Sequence, residues 1–485
     1  MNEANNSHSD KALRGLRQLG IAQLLTQIIT WALTAITVRI LTPHDYGVIA
    51  TAGMITIFAQ MLVDGGLTEV LVSQRELPTR MQGAAITAVV LFSSLVGTMI
   101  FGIAPLAAGF FRNQQLTAIL RVSAFYLPLT ALGFAPGVLL TKEMQFKRLG
   151  RIQLTTGVFQ GVSTIALAAA GEAYWALIIG NFLATGLRVI LFWGALDKKP
   201  TPNLHFRELR SVLRNGVHMI GQRFSYFGLD NLDVFLLSRF WGSTELGPYS
   251  VARNLAHTAL DKISRVTRQV AIPTFAAKTE SADQLRGLLT VLSVTATATF
   301  PLFWIMGVVS QIALPMLFGV RWLKMVLPFA AFASILPLRT IYTLMNSSLV
   351  GTGRIGLTFT NTLIWLAVLL PLLLVGATKG SNGVALGWAA AFPIVFCITM
   401  RRISRAFSTQ LSTLARPLLI PAISAALSAL LAEGLFLALE TETSQPLILV
   451  SQCLIAPTSY FLLLRYLSPA QYEQTSSLIR RIMRV

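Results

Sequence analysis

Residues 39–47 read RILTPHDYG, and residues 239–247 read RFWGSTELG. Each stretch sets an arginine, then an acid, then a glycine at the same spacing: Arg39, Asp45 and Gly47 in the first, Arg239, Glu245 and Gly247 in the second. Both interrupt long apolar runs, so each reads as the tight turn between two helices. Pro43 or Gly242 ends one helix, and Asp45 or Glu245 is placed to cap the next. A turn repeated in this way implies that the helices around it are repeated too.

The length of those helices follows from the solvent. Of the 485 residues, 54% are hydrophobic and only 12% charged, too few charges to coat a set of soluble domains. Crossing a hydrocarbon layer of about 30 Å takes about 20 mostly apolar residues of helix, and such stretches recur along the whole chain. About fourteen spans are predicted, near 19–41, 46–71, 84–105, 116–140, 152–171, 173–196, 216–240, 247–274, 287–310, 325–350, 356–376, 382–400, 414–438 and 446–467. The fold class is therefore all-α, a polytopic membrane protein. The longest polar interruption, at 197–216, has the size of a loop. The N-terminal MNEANNSHSD lacks a signal-peptide pattern, so the first span is expected to serve as an uncleaved insertion signal. Cys397 and Cys453 both lie in apolar runs and read as buried small hydrophobes, with neither a disulfide nor a metal site implied.

A net charge of +19 raises the question of nucleic acid, and the placement of the charges answers it. Loops on one side of the predicted spans hold only Arg39, Arg112, Arg239, Arg321, Lys324 and Lys379. The alternate loops and both tails hold most of the rest, among them Lys142, Lys147, Arg148, Arg207, Arg401 and Arg480. That asymmetry is the one that keeps basic loops in the cytoplasm, so both termini are predicted to be cytoplasmic and no nucleic acid is needed as a partner.

With this topology the two turns occupy the same place in two successive six-helix units. Three further matches follow in order: LPL at 127–129 and 336–338 within the fourth and tenth spans, GRI at 150–152 and 353–355 before the fifth and eleventh, and Trp175-Ala176 with Trp388-Ala389, which are expected to begin the sixth and twelfth alike. Six plus six helices in one orientation imply two bundles related by a pseudo-two-fold axis along the membrane normal. Residues 1–200 are assigned to the N-terminal lobe and 201–405 to the C-terminal lobe. Residues 406–485 supply two additional helices and a basic cytoplasmic tail. Duplicated bundles around a cleft are a transporter arrangement.

An ionisable residue inside a bilayer normally faces protein or a water-filled cavity. The eighth span concentrates them: at 100° per residue, Arg253, His257, Asp261, Arg265 and Arg268 fall on one side and Leu255, Leu260, Ile263 and Val270 on the other. The seventh span adds His218, Gln222, Arg223, Asp230 and Asp233, and the tenth adds Arg339. The second adds Gln60 and Asp64, and the first a neutral stripe that includes Gln23, Gln27 and Thr30. Guanidinium groups suit phosphate, and amides and hydroxyls suit sugars. The candidate substrate-binding set is thus Arg223, Arg253, His257, Arg265, Arg268 and Arg339, with Gln23, Gln27, Thr30 and Gln222. Internal ion pairing by Asp230, Asp233 and Asp261 is the structural alternative. Asp64, Asp230 and Asp233 are candidates for coupling to H⁺ or Na⁺, and no other cofactor is called for. FGVRW at 318–322 reads as an external turn with Arg321 and Trp322 at headgroup depth.

RILTPHDYGVIATAGMITIFAQMLVDGGL at 39–67, with EMQFKRLGRI, LHFRELRSVLRNG and FGVRW, resembles the Wzx-type polysaccharide exporters of the multidrug/oligosaccharidyl-lipid/polysaccharide superfamily, in particular the colanic-acid and exopolysaccharide branch. The resemblance runs over roughly residues 11–410. It implies a flippase rather than an enzyme, carrying an undecaprenyl-diphosphate-linked oligosaccharide across the bacterial inner membrane by alternating access, for exopolysaccharide, capsule or lipopolysaccharide synthesis. It also implies membrane lipids as surroundings, and the polymerase and chain-length machinery of the same pathway as partners. The alternatives are a lipid II-type or small-molecule exporter of the same superfamily, and a membrane glycan polymerase or glycosyltransferase. Against the last, no long loop carries paired acids, and no Walker, HExxH or GxSxG motif occurs.

Overall fold

A computed structural model describes residues 29, 31–64, 79–143, 145–197, 199–204, 227–276, 281–439, 444–473 and 476. The described chain is helical: α1 Trp31–Ile40, α2 Pro43–Asp64, α3 Thr79–Phe110, α4 Gln115–Leu132, α5 Phe134–Lys142, α6 Phe146–Ala169, α7 Trp175–Ala195, α8 at 227–240 and α9 Ser243–Ala276. Then follow α10 Ser281–Phe318, α11 Val326–Gly351, α12 Ile355–Ala377, α13 Gly380–Ala406, α14 Leu411–Leu439 and α15 Gln445–Leu467. Eleven stretches among the described residues are long and apolar enough to cross a membrane, and the protein is a multi-pass membrane protein. Predicted spans one and seven are described only in part, as α1 and α8, and α9 is not among the eleven.

The chain divides into two compact units, residues 1–247 and 248–485. In the first, α3 packs along α4, and α6 along α7. Its core includes Ala59, Val63, Ala84, Val89, Leu127 and Ala131. In the second, α10 packs against α11, α14 and α15, and α12 against α13. The α11 segment is the most buried of the eleven, with 72% of its most apolar stretch inside the protein. Large apolar side chains such as Leu106, Ile190, Val375 and Leu430 stay outside, as a lipid-facing surface requires.

The fold-deciding turns have a defined chemistry. Thr42 stands just before α2, and its hydroxyl accepts the Asp45 N–H at 3.3 Å. The Asp45 carboxylate accepts the Thr42 N–H in return, at 2.9 Å. This is a reciprocal capping box with Pro43 at the first helical position, so Thr42 is the cap and Asp45 its partner. The two copies of the motif meet. A β-carbon on Gly47 would overlap the Ser243 carbonyl, and one on Gly247 would overlap the Pro43 carbonyl. The pairing is reciprocal, Gly47 with Ser243 and Gly247 with Pro43, which is how two copies pack about a local two-fold. Only glycine permits so close an approach of backbone to backbone.

Three expectations change. Trp388 lies inside α13, which starts at Gly380, so it does not begin a helix as Trp175 does; packing around Arg339 holds it there. Trp322, expected to face the membrane interface, is 1% exposed and packed inside the protein, while Arg321 remains exposed. Cys397 and Cys453 are both exposed, because each falls on the outward stripe of its helix.

Candidate functional site

The second unit brings together two of the candidate residues from different helices. On α9, Arg253 and His257 are one turn apart, both partly exposed. His257 Nε2 lies 3.0 Å from Arg339 Nη1 on α11. Arginine only donates, so the histidine nitrogen must accept, which fixes a neutral ring with its proton on Nδ1. The guanidinium of Arg339 also packs against two indoles, 5.3 Å from the Trp365 ring and 5.2 Å from the Trp388 ring, and the two rings meet each other edge to face at 6.1 Å. Phe332 contacts both His257 and Trp388, and Tyr342 and Phe392 close the cluster. Arg339 is 7% exposed and Trp388 fully buried. A desolvated cation on an indole face contributes about 2 kcal/mol, and here two faces share one cation.

A second polar cluster in this unit links Asn346, Asn361 and Arg402. Arg402 Nε donates to Asn361 Oδ1 at 2.8 Å, and Asn361 Nδ2 donates to Asn346 Oδ1 at 3.0 Å. The buried amides satisfy each other, and the arginine comes from the end of α13 that carries Arg401, Arg402 and Arg405.

The first unit is more open. A cavity of about 300 Å³ runs between α2, α4 and α7 past Gln60, Ser123, Tyr126 and Asn181. A neighbouring one of about 410 Å³ shares Gln60 and Tyr126 with it and is also lined by Gln153, Thr185 and Arg188. Arg188 Nη2 donates to Thr185 Oγ1 at 3.2 Å, and the hydroxyls of Thr185 and Tyr126 are 3.3 Å apart. Asp233 on α8 is fully buried, its carboxylate accepting the Val234 N–H at 2.8 Å, and Asp230 is partly exposed. At the turns, a third cavity of about 420 Å³ lies between His44, Phe111–Gln115, Ser238 and Trp241–Thr244.

Of the remaining candidates, Gln23, Gln27, Thr30, Gln222 and Arg223 lie outside the described residues. Arg265 and Arg268 fall on α9 and Asp64 on α2, and their side chains lie outside those described. Arg188, Tyr126 and Asn181 were missed by sequence reasoning. Arg188 carried a usable signal, an arginine inside an otherwise apolar span, whereas the convergence of Tyr126 and Asn181 depends on packing between helices.

Among solved structures, the fold is that of a lipid II flippase, MurJ, in an inward closed conformation. The TM-score is 0.73 at 13% identity, over 93% of this chain and 98% of that one. A multidrug resistance MATE family transporter of the MOP superfamily, inward-facing, gives 0.61 at 14% identity over 79% and 95%. The chain thus has the polytopic helical fold that these two membrane proteins share. Residues 36–327 match the family described as polysaccharide biosynthesis protein, and the chain belongs to that family.

Similar curated proteins include the teichuronic acid biosynthesis protein TuaB of Bacillus subtilis, 26% identical over 63% of this chain and 64% of that protein. The lipopolysaccharide biosynthesis protein WzxC of Escherichia coli is 25% identical over 78% of each. The succinoglycan biosynthesis transport protein ExoT of Rhizobium meliloti is 22% identical over 62% of each. The chain thus spans somewhat under two thirds of TuaB and ExoT and over three quarters of WzxC.

Proposed function

We propose that the protein is a flippase, not an enzyme, that moves a lipid-linked oligosaccharide across the bacterial inner membrane for surface polysaccharide assembly. The observation that carries this reading is the partial exposure of two arginines, Arg188 and Arg253, within long helices of a fold shared with a lipid flippase. An arginine left partly open inside a membrane protein is suited to an anionic headgroup, and the amides and hydroxyls near Arg188 suit sugar hydroxyls. Membership of the polysaccharide biosynthesis family supports the same substrate class.

In this reading residues 1–200 and 201–405 act as the two repeated lobes. The reciprocal contact of the Gly47 and Gly247 turns is one closed position of an alternating-access cycle. Arg223, Arg265 and Arg268 join Arg253 along the substrate path. Asp64, Asp230 and Asp233 are the candidate sites for H⁺ or Na⁺ coupling, and the polymerase and chain-length machinery of the pathway are the expected partners.

Deleting the gene tests the reading: surface glycan should disappear and lipid-linked repeat units should accumulate inside the cell. Unchanged surface glycan without such accumulation refutes it. Restoration by the wild-type gene but not by Arg253→Ala at matched protein level assigns the effect to the α9 stripe.

A further inference from the structure

The cavity at the turns has a chemistry of its own. All of its lining residues lie in the first unit, and they come from three connections that the distribution of Lys and Arg puts on the external face. At about 420 Å³ it falls in the range of small-molecule sites. We propose that it binds an acidic sugar, a pyranose bearing a carboxylate.

Four observations lead there. Trp241 is 44% exposed at the cavity wall and offers the flat indole on which the C–H face of a sugar ring packs. The carbonyl oxygen Oε1 of Gln115 is buried and has no hydrogen-bond partner among the described residues, so it lacks the donor that a sugar hydroxyl supplies. The exposed Arg112 stands at φ 52°, a conformation uncommon for a residue with a side chain, and its guanidinium makes no ion pair or hydrogen bond among the described residues. Finally, the frame is fixed: Asn113 Nδ2 donates to Ser243 Oγ at 3.0 Å, and Asn113 Oδ1 accepts the Gln115 N–H at 3.0 Å.

The combination separates a sugar from a phosphate. A phosphate site gathers several cationic donors around one anion, whereas here the one guanidinium of the lining stands with the His44 imidazole, an indole and an orphaned acceptor. An acceptor oxygen repels an ionised phosphate and welcomes a hydroxyl. A carboxylate for Arg112, a hydroxyl for Gln115 and an apolar ring face for Trp241 together describe a uronic acid. The site deepens the flippase reading, on which it rests for its physiological ligand: the sugar would belong to the glycan that emerges on the external face.

The test is saturation-transfer NMR on the full chain in lipid nanodiscs, with D-glucuronic acid, D-glucose and inorganic phosphate as probes. Transfer to glucuronic acid should exceed transfer to glucose. Trp241→Ala should bring both to background, and Gln115→Leu should weaken both. Arg112→Gly should lower affinity for glucuronic acid about tenfold, to the level of glucose, the weight of one charge-assisted hydrogen bond. Glycine accepts φ 52° without strain, so this variant removes the charge and keeps the turn.

Absence of transfer from the wild type to either sugar overturns the proposal, as do variants that bind like the wild type. Phosphate displacing glucuronic acid overturns it in favour of a lipid headgroup. Binding is scored without export, so its failure leaves the gene-deletion result standing. Conversely, unchanged surface glycan after deletion refutes the flippase and leaves the binding result standing.

Discussion

Arg188 and Arg339 are two arginines inside membrane-length helices, one in each unit, and the protein treats them differently. Arg188 borders a cavity of about 410 Å³ and is held by one hydroxyl on its own helix, Thr185. Arg339 is closed in by two indoles and an imidazole from three other helices. The difference comes from the neighbours. The α11 segment is the most buried of the membrane-length stretches, so a charge on it must be matched by protein. The α7 segment has only 22% of its most apolar stretch buried, which leaves its polar residues room to meet a ligand. An intramembrane arginine therefore marks a binding position only where the surrounding protein leaves part of its side chain open.

The sharpest way to break this comparison is to remove both. Arg339→Ala empties a filled aromatic box and should cost about 3 kcal/mol or more, read as a large drop in the melting temperature of the purified protein. Arg339→Lys should recover only part, because an ammonium lacks the planar guanidinium face that packs on the indoles. Arg188→Ala should cost less than about 1 kcal/mol and lower glycan export instead. Equal losses of stability at both positions would mean that the two arginines do the same job.

A second contrast lies between the copies of the turn, which the reciprocal glycine contact predicts to be interchangeable. Gly47→Val and Gly247→Val each drive a side chain into the facing backbone, an overpacking cost of about 1–3 kcal/mol. Each should weaken the contact equally. Ser238→Cys, placed beside Thr51, whose hydroxyl is 2.6 Å from that of Ser238, reports the opening through labelling by a membrane-impermeant maleimide. Cys397 and Cys453 must first be replaced, since both are exposed. Labelling that rises in one glycine variant and not the other would end the idea of a symmetric contact.

His257 sharpens the same picture at smaller scale. The imidazole serves Arg339 as an acceptor, so His257→Gln, which keeps an acceptor oxygen, should hold stability within about 0.5 kcal/mol. His257→Phe removes the acceptor and should cost about 1–3 kcal/mol in the same melting experiment. Equal behaviour of the two would show that the ring, not the hydrogen bond, matters.

What the sequence discloses follows the reach of each interaction. Apolar runs, the repeated turn and the two-faced α9 are properties of neighbouring residues, so they show in the order of the chain. Family membership shows for the same reason, through RILTPHDYG and its companions. Arg253, His257 and Arg339 stand out as polar residues in apolar surroundings, yet nothing in the order of residues says that Trp365 and Trp388 both pack on Arg339. Trp388 looked like a helix start because a tryptophan at the membrane edge and one packed in a core have the same local sequence. Thr42 was overlooked as the cap because the acid three residues later drew the assignment. Tyr126, Asn181 and Arg188 sit on α4 and α7, and only packing places them on one cavity with Gln60 of α2.

The smallest contrast concerns how the C-terminal ends of α7 and α13, one in each unit, are closed. In the first, Arg148 Nη1 donates at 2.9 Å to the carbonyl of Ala195, the last residue of α7, and also lies 3.7 Å from Asp197. In the second, the guanidinium of Arg354 donates to the carbonyl of Ala406, the last residue of α13, and stacks on Phe407 at 5.1 Å. Both satisfy a terminal carbonyl and place a cation at the negative end of a helix, worth about 0.3–1 kcal/mol. Arg148 is half exposed, so water takes over when it is removed, and Arg148→Ala should fall at or below the bottom of that range. Arg354 is more sheltered and loses an aromatic contact too, so Arg354→Ala should reach the top. Raising the salt concentration should shrink the first effect and leave most of the second, since screening acts on exposed charges. Arg151, not Arg148, matches Arg354 in the GRI register, so melting curves of the two variants at low and high salt would reveal whether burial alone sets the weight of two arginines that reach the same kind of helix end from different positions.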